Sequence, residues 1–230
     1  MKVTERKSNQ TRIRILGSAL RLFRQCGFEQ ATMRDVAKEA HVALGAAYYY
    51  FDSKDAIVMA FYELAQMELA PRIEDSLANT RDLRERLAAV ITAKFDYFEP
   101  NRNLVGTLSS HIDPQHPLSP FSQATKAIRE TDISFIHRAI EGSTTKLPAD
   151  LKPYLARLLW LYQMGLILFW VYDHSPKQRK TTQLSEKSLA IVVGLIKLSA
   201  LPLMRPLRKL LTDLLDVIYE DHSPPMQSRS

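Results

Sequence analysis

The stretch Thr32–Lys54, which reads TMRDVAKEAHVALGAAYYYFDSK, determines the fold of the N-terminal part of this 230-residue chain. Thr32 and Asp35 have the spacing of a capping box, which predicts a helix over residues 33–40. A break of two residues separates it from a second short helix, predicted over residues 43–50. Two short helices joined by a tight turn are typical of a helix-turn-helix, whose second helix enters the major groove of DNA.

Small and apolar residues recur on one side of this stretch: Val36, Ala37, Ala40, Val42, Ala47 and Phe51. The preceding segment Thr11–Cys26 has apolar residues at helical spacing and is followed by Gly27, a residue that commonly ends helices. It supplies the third side of a small core through Leu16, Leu20 and Phe23. His41 stands in the turn, where we expect the left-handed conformation that histidine tolerates better than most residues.

The rest of the chain has helical spacing throughout, with no strand pattern and no internal repeat. Further helices are predicted over Lys54–Glu68, Arg81–Phe98, Leu104–His111, Phe121–Ile140, Ala149–Asp173, Arg179–Ala200 and Leu207–Tyr219. The sequence therefore predicts an all-α protein. A three-helix helix-turn-helix domain is expected over residues 1–55, and a larger helical domain over residues 56–230.

Composition and charge favour a folded protein that binds a polyanion. The chain is 46% hydrophobic and 24% charged, which excludes a disordered or fibrous protein, and its formal net charge is +6. Residues 1–24 hold as large an excess, through Lys2, Arg6, Lys7, Arg12, Arg14, Arg21 and Arg24 against Glu5. This excess beside the helix-turn-helix favours DNA binding, whereas a basic helix alone is usually a solvated face.

A single cysteine, Cys26, permits no internal disulfide and fits a reducing compartment. The first ten residues lack the apolar core of a signal peptide, so we expect a cytoplasmic protein. We expect Cys26 itself to be a small buried residue rather than a redox sensor.

The helix-turn-helix stretch resembles the TetR family of bacterial transcriptional regulators. The family pattern has an opening threonine, a small Ile/Val-Ala pair, Ala-Gly-Val-Ser at the turn, then Gly, Leu-Tyr, an aromatic pair and a lysine. The counterparts here are Thr32, Val36-Ala37, Ala40-His41-Val42-Ala43, Gly45, Ala47-Tyr48, Tyr50-Phe51 and Lys54. The resemblance implies a ligand-responsive repressor that binds a palindromic double-stranded DNA operator as a homodimer.

The candidate DNA-binding residues follow from this match: Thr32, Arg34, Ala43, Leu44, Gly45, Ala46, Tyr48, Tyr49, Tyr50 and Lys54. Tyrosine hydroxyls can bond phosphates, and Thr32 and Lys54 stand at helix starts, where phosphate is favoured. Such contacts position the protein without reading sequence. Arg34, by resemblance to the family, can reach a guanine edge, whereas Leu44 and Ala46 suit thymine methyl groups. Core packing is the alternative for Tyr50 and Phe51.

Two very apolar runs, Leu158–Tyr172 and Leu189–Met204, overlap the predicted helices Ala149–Asp173 and Arg179–Ala200, and we expect a homodimer to form through these two helices. The first run has 15 residues, fewer than the roughly 18–20 that a membrane span needs, so we expect buried or interface helices and no membrane. Such surfaces are too apolar for a monomer, and a four-helix bundle with a second copy would bury them. The predicted interface residues are Leu166, Phe169, Trp170, Ile191 and Leu195.

Aromatic and polar side chains are mixed on the inward faces of the later helices, which favours a cavity for a small-molecule effector. The candidates are Tyr97, Phe98, Trp160, Gln163 and Met164, and a solid core is the alternative reading of each. The resemblance to the TetR family implies that a rigid helix from Ser53 carries an effector-induced shift to the DNA-binding unit. That shift would change the separation of the two recognition helices, which major-groove half-sites hold at about 34–36 Å.

The sequence contains no nucleophile elbow, P-loop or dinucleotide-binding motif, so an enzyme is not expected. His111, Asp113 and His116 could ligate a metal, but without cysteine or helical spacing a plain polar loop is favoured, and no metal or cofactor is predicted. Two other functions stay open. One is a constitutive DNA-binding protein whose C-terminal domain only dimerises, and the other a small-molecule-binding protein without a DNA role.

Overall fold

The structure, a computed structural model, describes residues 2–109 and 111–219, with the side chains of residues 2–5 and 219 left out. These residues form ten α-helices and no strand, which confirms the predicted all-α fold. The helices are α1 (Lys2–Cys26), α2 (Met33–Glu39), α3 (Leu44–Tyr50), α4 (Lys54–Ala78), α5 (Leu83–Phe98), α6 (Arg102–Ser109), α7 (Lys126–Glu141), α8 (Lys152–Val171), α9 (Arg179–Ser199) and α10 (Arg205–Tyr219).

The helix-turn-helix forms as its local sequence predicts. The Thr32 hydroxyl accepts a hydrogen bond from the backbone N–H of Asp35 at 3.2 Å, and the Asp35 carboxylate accepts one from the backbone N–H of Thr32 at 3.0 Å. This capping box starts α2. His41 has a φ of 52° in the turn, so the predicted left-handed conformation is confirmed. Gly27 ends α1 with a φ of 87°.

The long helix α4 does not end before Pro71, so the predicted end at Glu68 is wrong. Pro71 lies inside the helix and is exposed, so the backbone hydrogen bond that it removes lies on the side away from the core. On the opposite side Leu69, Ile73 and Leu77 are buried in the core. Their burial continues the helix past a residue that usually interrupts one.

The helix-turn-helix unit packs against residues beyond position 55. Its hydrophobic cluster, built on α1–α3, also includes Ile57 and Phe61 of α4 and Leu104 and Leu108 of α6. The division between residues 1–55 and 56–230 therefore runs through one packed core. α4 contributes residues to both hydrophobic clusters, and α6 contacts α1 as well as α8.

The second hydrophobic cluster is formed by the end of α4 with α5, α7, α8 and α9. Arg86 of α5 is buried there and closes two helix ends. Its guanidinium donates to the backbone oxygens of Ala139 at 2.7 Å, Arg138 at 2.9 Å and Thr80 at 2.8 Å, and also to that of Leu77. These carbonyls lie at or just beyond the C-terminal ends of α4 and α7, where four oxygens per helix lack intrahelical partners.

Cys26 and α8 each depart from a sequence expectation. Cys26 is exposed, so the expectation of a buried cysteine is wrong; its position in the last turn of α1 faces away from the core. α8 is longer than the apolar run that predicted it, and within the described residues it satisfies the length and hydropathy of a membrane span. Buried helices of soluble proteins satisfy the same criterion, and α8 packs against α6, α7 and α9.

Candidate DNA-binding surface and effector cavity

The helix α3 presents its outer face to solvent. Tyr49 is 81% exposed and Tyr48 49%, and Leu44 and Gly45 are also exposed. Ala47, on the inner face, is fully buried against the helix-turn-helix core. The helix is therefore anchored by a small residue while its tyrosines stay accessible to a ligand as large as a DNA duplex.

The start of α3 lacks the side-chain cap that helix-turn-helix proteins often have. Ala43 is the N-cap residue and makes no side-chain hydrogen bond, although its carbonyl oxygen accepts from the backbone N–H groups of Ala46 and Ala47 at 2.9 and 3.1 Å. Ala43 is exposed and Ala46 half-buried. This end of α3 can therefore offer backbone N–H groups and methyl groups, but no hydroxyl, to DNA.

The remaining candidates differ in how free they are. Arg34, on α2, is exposed. The Thr32 hydroxyl donates to the Asp35 carboxylate at 2.5 Å, so the capping box already uses it as both donor and acceptor. Tyr50 is half-buried, and its ring meets that of Tyr49 edge to face at 5.1 Å. The half-buried Tyr50 ring therefore packs against the exposed Tyr49 ring and helps to fix its position.

Lys54 makes contacts within the protein that the sequence does not predict. Its ammonium donates to the carbonyl oxygens of Phe28 at 2.7 Å and Glu29 at 3.2 Å, and lies 4.6 Å from the centre of the Phe28 ring. The lysine thus fastens the start of α4 to the turn that follows α1. Two of its three donors are used in this way.

We expect Lys54→Ala to lower the free energy of unfolding by about 1–2 kcal/mol, because two charge-assisted hydrogen bonds are lost. Urea denaturation followed by circular dichroism measures this change. The salt dependence of DNA binding is expected to stay close to that of the wild type. Unchanged stability with a flatter salt dependence would instead assign the lysine to a phosphate.

The basic residues of α1 fall into two groups. Arg21 pairs with Glu39 at 3.2 Å, and Arg24 donates to the side-chain oxygen of Asn101 at 2.9 Å. A second set stays exposed on the same helix: Arg6, Lys7, Arg12 and Arg14. The first group holds the unit together, and the second is the basic surface available to a polyanion.

A cavity of about 100 Å³ lies between α4, α5, α6, α7 and α8. Its wall is mostly apolar, and aromatic side chains from three helices contribute to it, among them Phe98, Trp160 and Trp170. Cavities of roughly 150 Å³ can hold a ligand of the size of benzene. The cavity here is smaller, so without enlargement it suits a slim chain segment or a group smaller than benzene.

The cavity includes some of the predicted effector residues and excludes others. Phe98, Trp160 and Met164 line it, whereas Tyr97 and Gln163 do not. Gln163 is 1% exposed, and neither its amide nitrogen nor its amide oxygen has a partner among the described residues. Tyr97 packs instead at the junction of the two hydrophobic clusters.

Sequence reasoning missed the charged end of this cavity. Lys94 is 3% exposed, and its ammonium lies 2.7 Å from the Asp132 carboxylate. Gln66 donates from its side-chain amide to the carbonyl oxygen of Ile128 at 2.6 Å. Burial raises the pKa of Tyr62, and the nearby Asp132 charge adds to the effect. Lys94 falls within an apolar helical pattern of α5, and that pattern does not predict that its ammonium group is buried.

The predicted dimer residues divide by burial. Phe169, Ile191 and Leu195 are 41%, 63% and 59% exposed in the single chain, as an interface requires. Leu166 and Trp170 are each 3% exposed, and both pack inside their own chain, where Trp170 stacks on Phe95. The helix is apolar on both faces, and the sequence pattern does not distinguish them.

The loop with the candidate metal ligands packs through its histidines. The rings of His111 and His116 stack with their centres 3.8 Å apart, and the Asp113 carboxylate accepts from the backbone N–H of Gln115 at 2.9 Å. In the part of the chain that the structure describes, no group of three or more metal-ligating side chains occurs.

The chain has several relatives among known proteins. The regulator YerO of Bacillus subtilis, described as an uncharacterized HTH-type transcriptional regulator, is 30% identical over 112 residues. That alignment covers 47% of this chain and 38% of YerO, so the chain spans less than half the length of this relative.

Solved structures share the fold over a larger part of the chain. A tetR-family transcriptional regulator from Streptomyces coelicolor superposes with a TM-score of 0.64 at 20% identity, covering 92% of this chain and 97% of that one. FadR from Bacillus subtilis, solved in complex with stearoyl-CoA, superposes with a TM-score of 0.60 at 18% identity, covering 79% and 97%.

Two family models together match most of the chain. The model described as bacterial regulatory proteins, tetR family, matches residues 15–61, which contain the helix-turn-helix. The model described as tetracyclin repressor-like, C-terminal domain, matches residues 86–214, which contain α6 to α9 and most of α5 and α10. The second match alone covers more than half of the sequence. The chain belongs to the TetR family of transcriptional regulators.

Proposed function

We propose that this protein is a cytoplasmic transcriptional repressor that binds a palindromic DNA operator as a homodimer and responds to a small-molecule effector. The single observation that carries the proposal is that α6 lines the cavity and also packs in the core of the DNA-binding unit. One short helix thus touches both functional parts. The proposal assigns DNA recognition to α3 and effector binding to the cavity.

DNA binding is supported by what α2 and α3 expose. Tyr48 and Tyr49 suit phosphate oxygens of the DNA backbone, and Arg34 suits the O6 and N7 acceptors of a guanine. The exposed arginines and lysine of α1 add attraction to the DNA backbone. Lys54 and Thr32 contribute by holding α4 and α2 in place, since their polar atoms are engaged within the protein.

Coupling between the two sites is supported by shared side chains. Leu108 and Leu118 belong to the core of the DNA-binding unit and also line the cavity. At the other end of α6, Arg102 donates to the carbonyl oxygens of Trp170 at 3.0 Å and Val171 at 3.2 Å, which closes the end of α8. A ligand that enlarges the cavity would shift α6 and, through it, the unit that carries α3. The ligand must bind the two arrangements unequally for the population to shift.

The homodimer is supported by apolar side chains that the single chain leaves uncovered. Phe169 of α8 and Ile191 and Leu195 of α9 are exposed, and α10 adds a larger face. That face is formed by Leu207, Leu210, Leu211, Leu214, Val217 and Ile218, which are between 38% and 73% exposed. A continuous apolar surface of this kind marks an interaction site.

The occupant proposed for the α10 face is α10 of the second copy. Arg205 and Lys209 lie in the first half of the helix and Asp213 in its second half, so two antiparallel copies would bring opposite charges together. The other side of α10 is already fixed to its own chain, where Arg208 pairs with Asp150 at 2.9 Å. The helix is thus held in position with its apolar side free.

An effector with an apolar body is supported by the cavity wall. The structural neighbour FadR from Bacillus subtilis was solved with stearoyl-CoA, which has a long apolar chain. The cavity here, at about 100 Å³, fits only a short segment of such a chain without enlargement. We therefore propose a compact effector or one that widens the cavity as it binds.

Selection of binding sites from a random duplex library tests the proposed function. The purified protein is expected to enrich a palindrome whose half-sites lie about one helical turn apart, because two α3 helices must enter successive major grooves. Enrichment of a single unrepeated half-site would contradict the dimer, and no enrichment would contradict operator binding.

The variant Arg34→Ala tests direct reading of a base. We expect it to relax the preference at one guanine in each half-site by about 1–3 kcal/mol, because the bidentate contact with that base is lost. Preferences at the other positions are expected to persist. Repeating the library selection with this variant measures the change. If wild type and variant recover the same base at every position, Arg34 does not read the operator.

A further inference from the structure

The polar side chains around the cavity are almost all engaged with the chain itself. Lys94 and Asp132 pair with each other, and Gln66 holds the carbonyl of Ile128. The Thr125 hydroxyl donates to the carbonyl oxygen of Ser119 at 2.6 Å, and the Ser109 hydroxyl to that of Val105 at 2.7 Å. These bonds fix the wall.

Trp160 is the exception. Its side chain lies in the cavity wall and is 5% exposed, and its indole nitrogen has no hydrogen-bond partner among the described residues. An indole N–H can only donate. A buried donor without an acceptor destabilises the protein, so an acceptor that arrives with a ligand recovers part of that free energy.

The charges at the cavity indicate what kind of acceptor fits. The Lys94 charge is already balanced by Asp132, whose carboxylate lies 2.7 Å away and would repel a second anion. Arg129 donates to the carbonyl oxygens of Pro120 at 2.7 Å and Ser122 at 3.2 Å, which ties its guanidinium to the preceding loop. An uncharged oxygen acceptor is not repelled by Asp132 and does not need a free guanidinium from Arg129.

We infer that the effector is a compact, largely apolar, uncharged molecule whose carbonyl-type oxygen accepts the indole N–H of Trp160. This rests on the proposed function only in treating the cavity as the effector site. Trp160 is then the residue that distinguishes an oxygen-bearing ligand from a pure hydrocarbon of the same shape. The aromatic side chains of the wall make non-directional apolar contacts with the body of the ligand. The hydrogen bond from the indole N–H of Trp160 sets the orientation of the ligand.

Calorimetric titration with two probes of equal shape tests this inference. The probes are 2-hexanone and 2-methyl-1-hexene, in which a methylene group replaces the carbonyl oxygen. For each protein we compare the dissociation constant for 2-hexanone with that for 2-methyl-1-hexene, as a ratio. The two probes have the same shape, so a change in cavity volume affects both constants alike and cancels in the ratio. We expect Trp160→Phe to reduce the preference for the ketone about fivefold, as one hydrogen bond predicts.

Trp170→Phe is the matched control, because Trp170 lines the same cavity. It is expected to leave the preference for the ketone unchanged. An unchanged preference in Trp160→Phe, or an equal loss in both variants, would overturn the inference. If the wild type binds hexanoate more tightly than 2-hexanone, the inference that the effector is uncharged is overturned. Failure of the wild type to bind 2-hexanone at millimolar concentration would overturn it as a whole.

The wild-type protein provides a second measurement that does not depend on the folding of a variant. The chain has only two tryptophans, so its nitrogen-15 NMR spectrum contains two indole N–H signals. We expect the Trp160 signal to move downfield with 2-hexanone and not with 2-methyl-1-hexene. Equal shifts with both probes would contradict the hydrogen bond. Binding of the ketone without any effect on DNA affinity would leave this inference standing and contradict the ligand-responsive function instead.

Discussion

Leu195→Asp is expected to convert the dimer to a monomer and to weaken operator binding by about a hundredfold or more. Leu195 is 59% exposed on α9, so the single chain does not need its burial to fold. In a dimer the same side chain would be covered, and a carboxylate there would have to be buried without a partner. Loss of the dimer removes the gain from binding two half-sites at once, which accounts for the size of the effect.

Sedimentation at micromolar concentration measures the first effect, and fluorescence anisotropy with the selected duplex measures the second. Met67→Asp is the matched control, because Met67 is 74% exposed on α4, a helix that packs mainly against α1, α5 and α7. It is expected to remain dimeric. A Leu195→Asp protein that sediments as a dimer would place the interface elsewhere. Trp170 is unsuitable for this test, since its burial within the chain makes any aspartate there a folding defect.

Arg86→Ala is expected to lower the free energy of unfolding by about 3–5 kcal/mol, because several buried carbonyl groups lose their donor together. The guanidinium bonds backbone oxygens at the ends of both α4 and α7, which no shorter side chain can reach from α5. Gly142, just after α7, has no Cβ, and a Cβ there would overlap this guanidinium. The position of the Arg86 guanidinium therefore requires glycine at position 142.

Urea denaturation of Arg86→Ala beside Arg84→Ala measures this contribution. Arg84 is exposed two residues earlier on the same helix, so its substitution is expected to change stability by less than about 0.5 kcal/mol. A similar loss in both variants would contradict the closing of helix ends as the cause, since alanine forms helix at least as well as arginine and propensity alone predicts no loss. Gly142→Ala is expected to destabilise in the same direction, because it displaces the guanidinium.

The helix-turn-helix could be predicted from the sequence because its structure is local. The capping box at Thr32 and the left-handed turn at His41 are set by residues within a few positions, and both were confirmed. Pro71 shows the limit of such reasoning. Its local tendency to end a helix is outweighed by burial of Leu69 and Ile73 against helices far away in the sequence.

The cavity and the interface could be predicted only in part, because α8 is apolar around most of its circumference. Leu166 and Phe169 are equally plausible interface residues in the sequence, yet the structure buries the first and exposes the second. The contacts of Lys54 could not be predicted from the sequence because they are not local. Its two acceptors, on Phe28 and Glu29, lie 25 or more residues away in the sequence.

The proposed role of α3 as the DNA-binding helix is tested most directly by one affinity comparison. The double variant Tyr48→Ala/Tyr49→Ala removes the two exposed tyrosines of α3, with Met67→Ala as an exposed control on α4. With the selected duplex and fluorescence anisotropy, we expect the double variant to bind about a hundredfold or more weakly, since two contacts are lost in each of two subunits. The control is expected to bind like the wild type. A double variant that remains folded and dimeric and binds the duplex as tightly as the wild type would contradict the account.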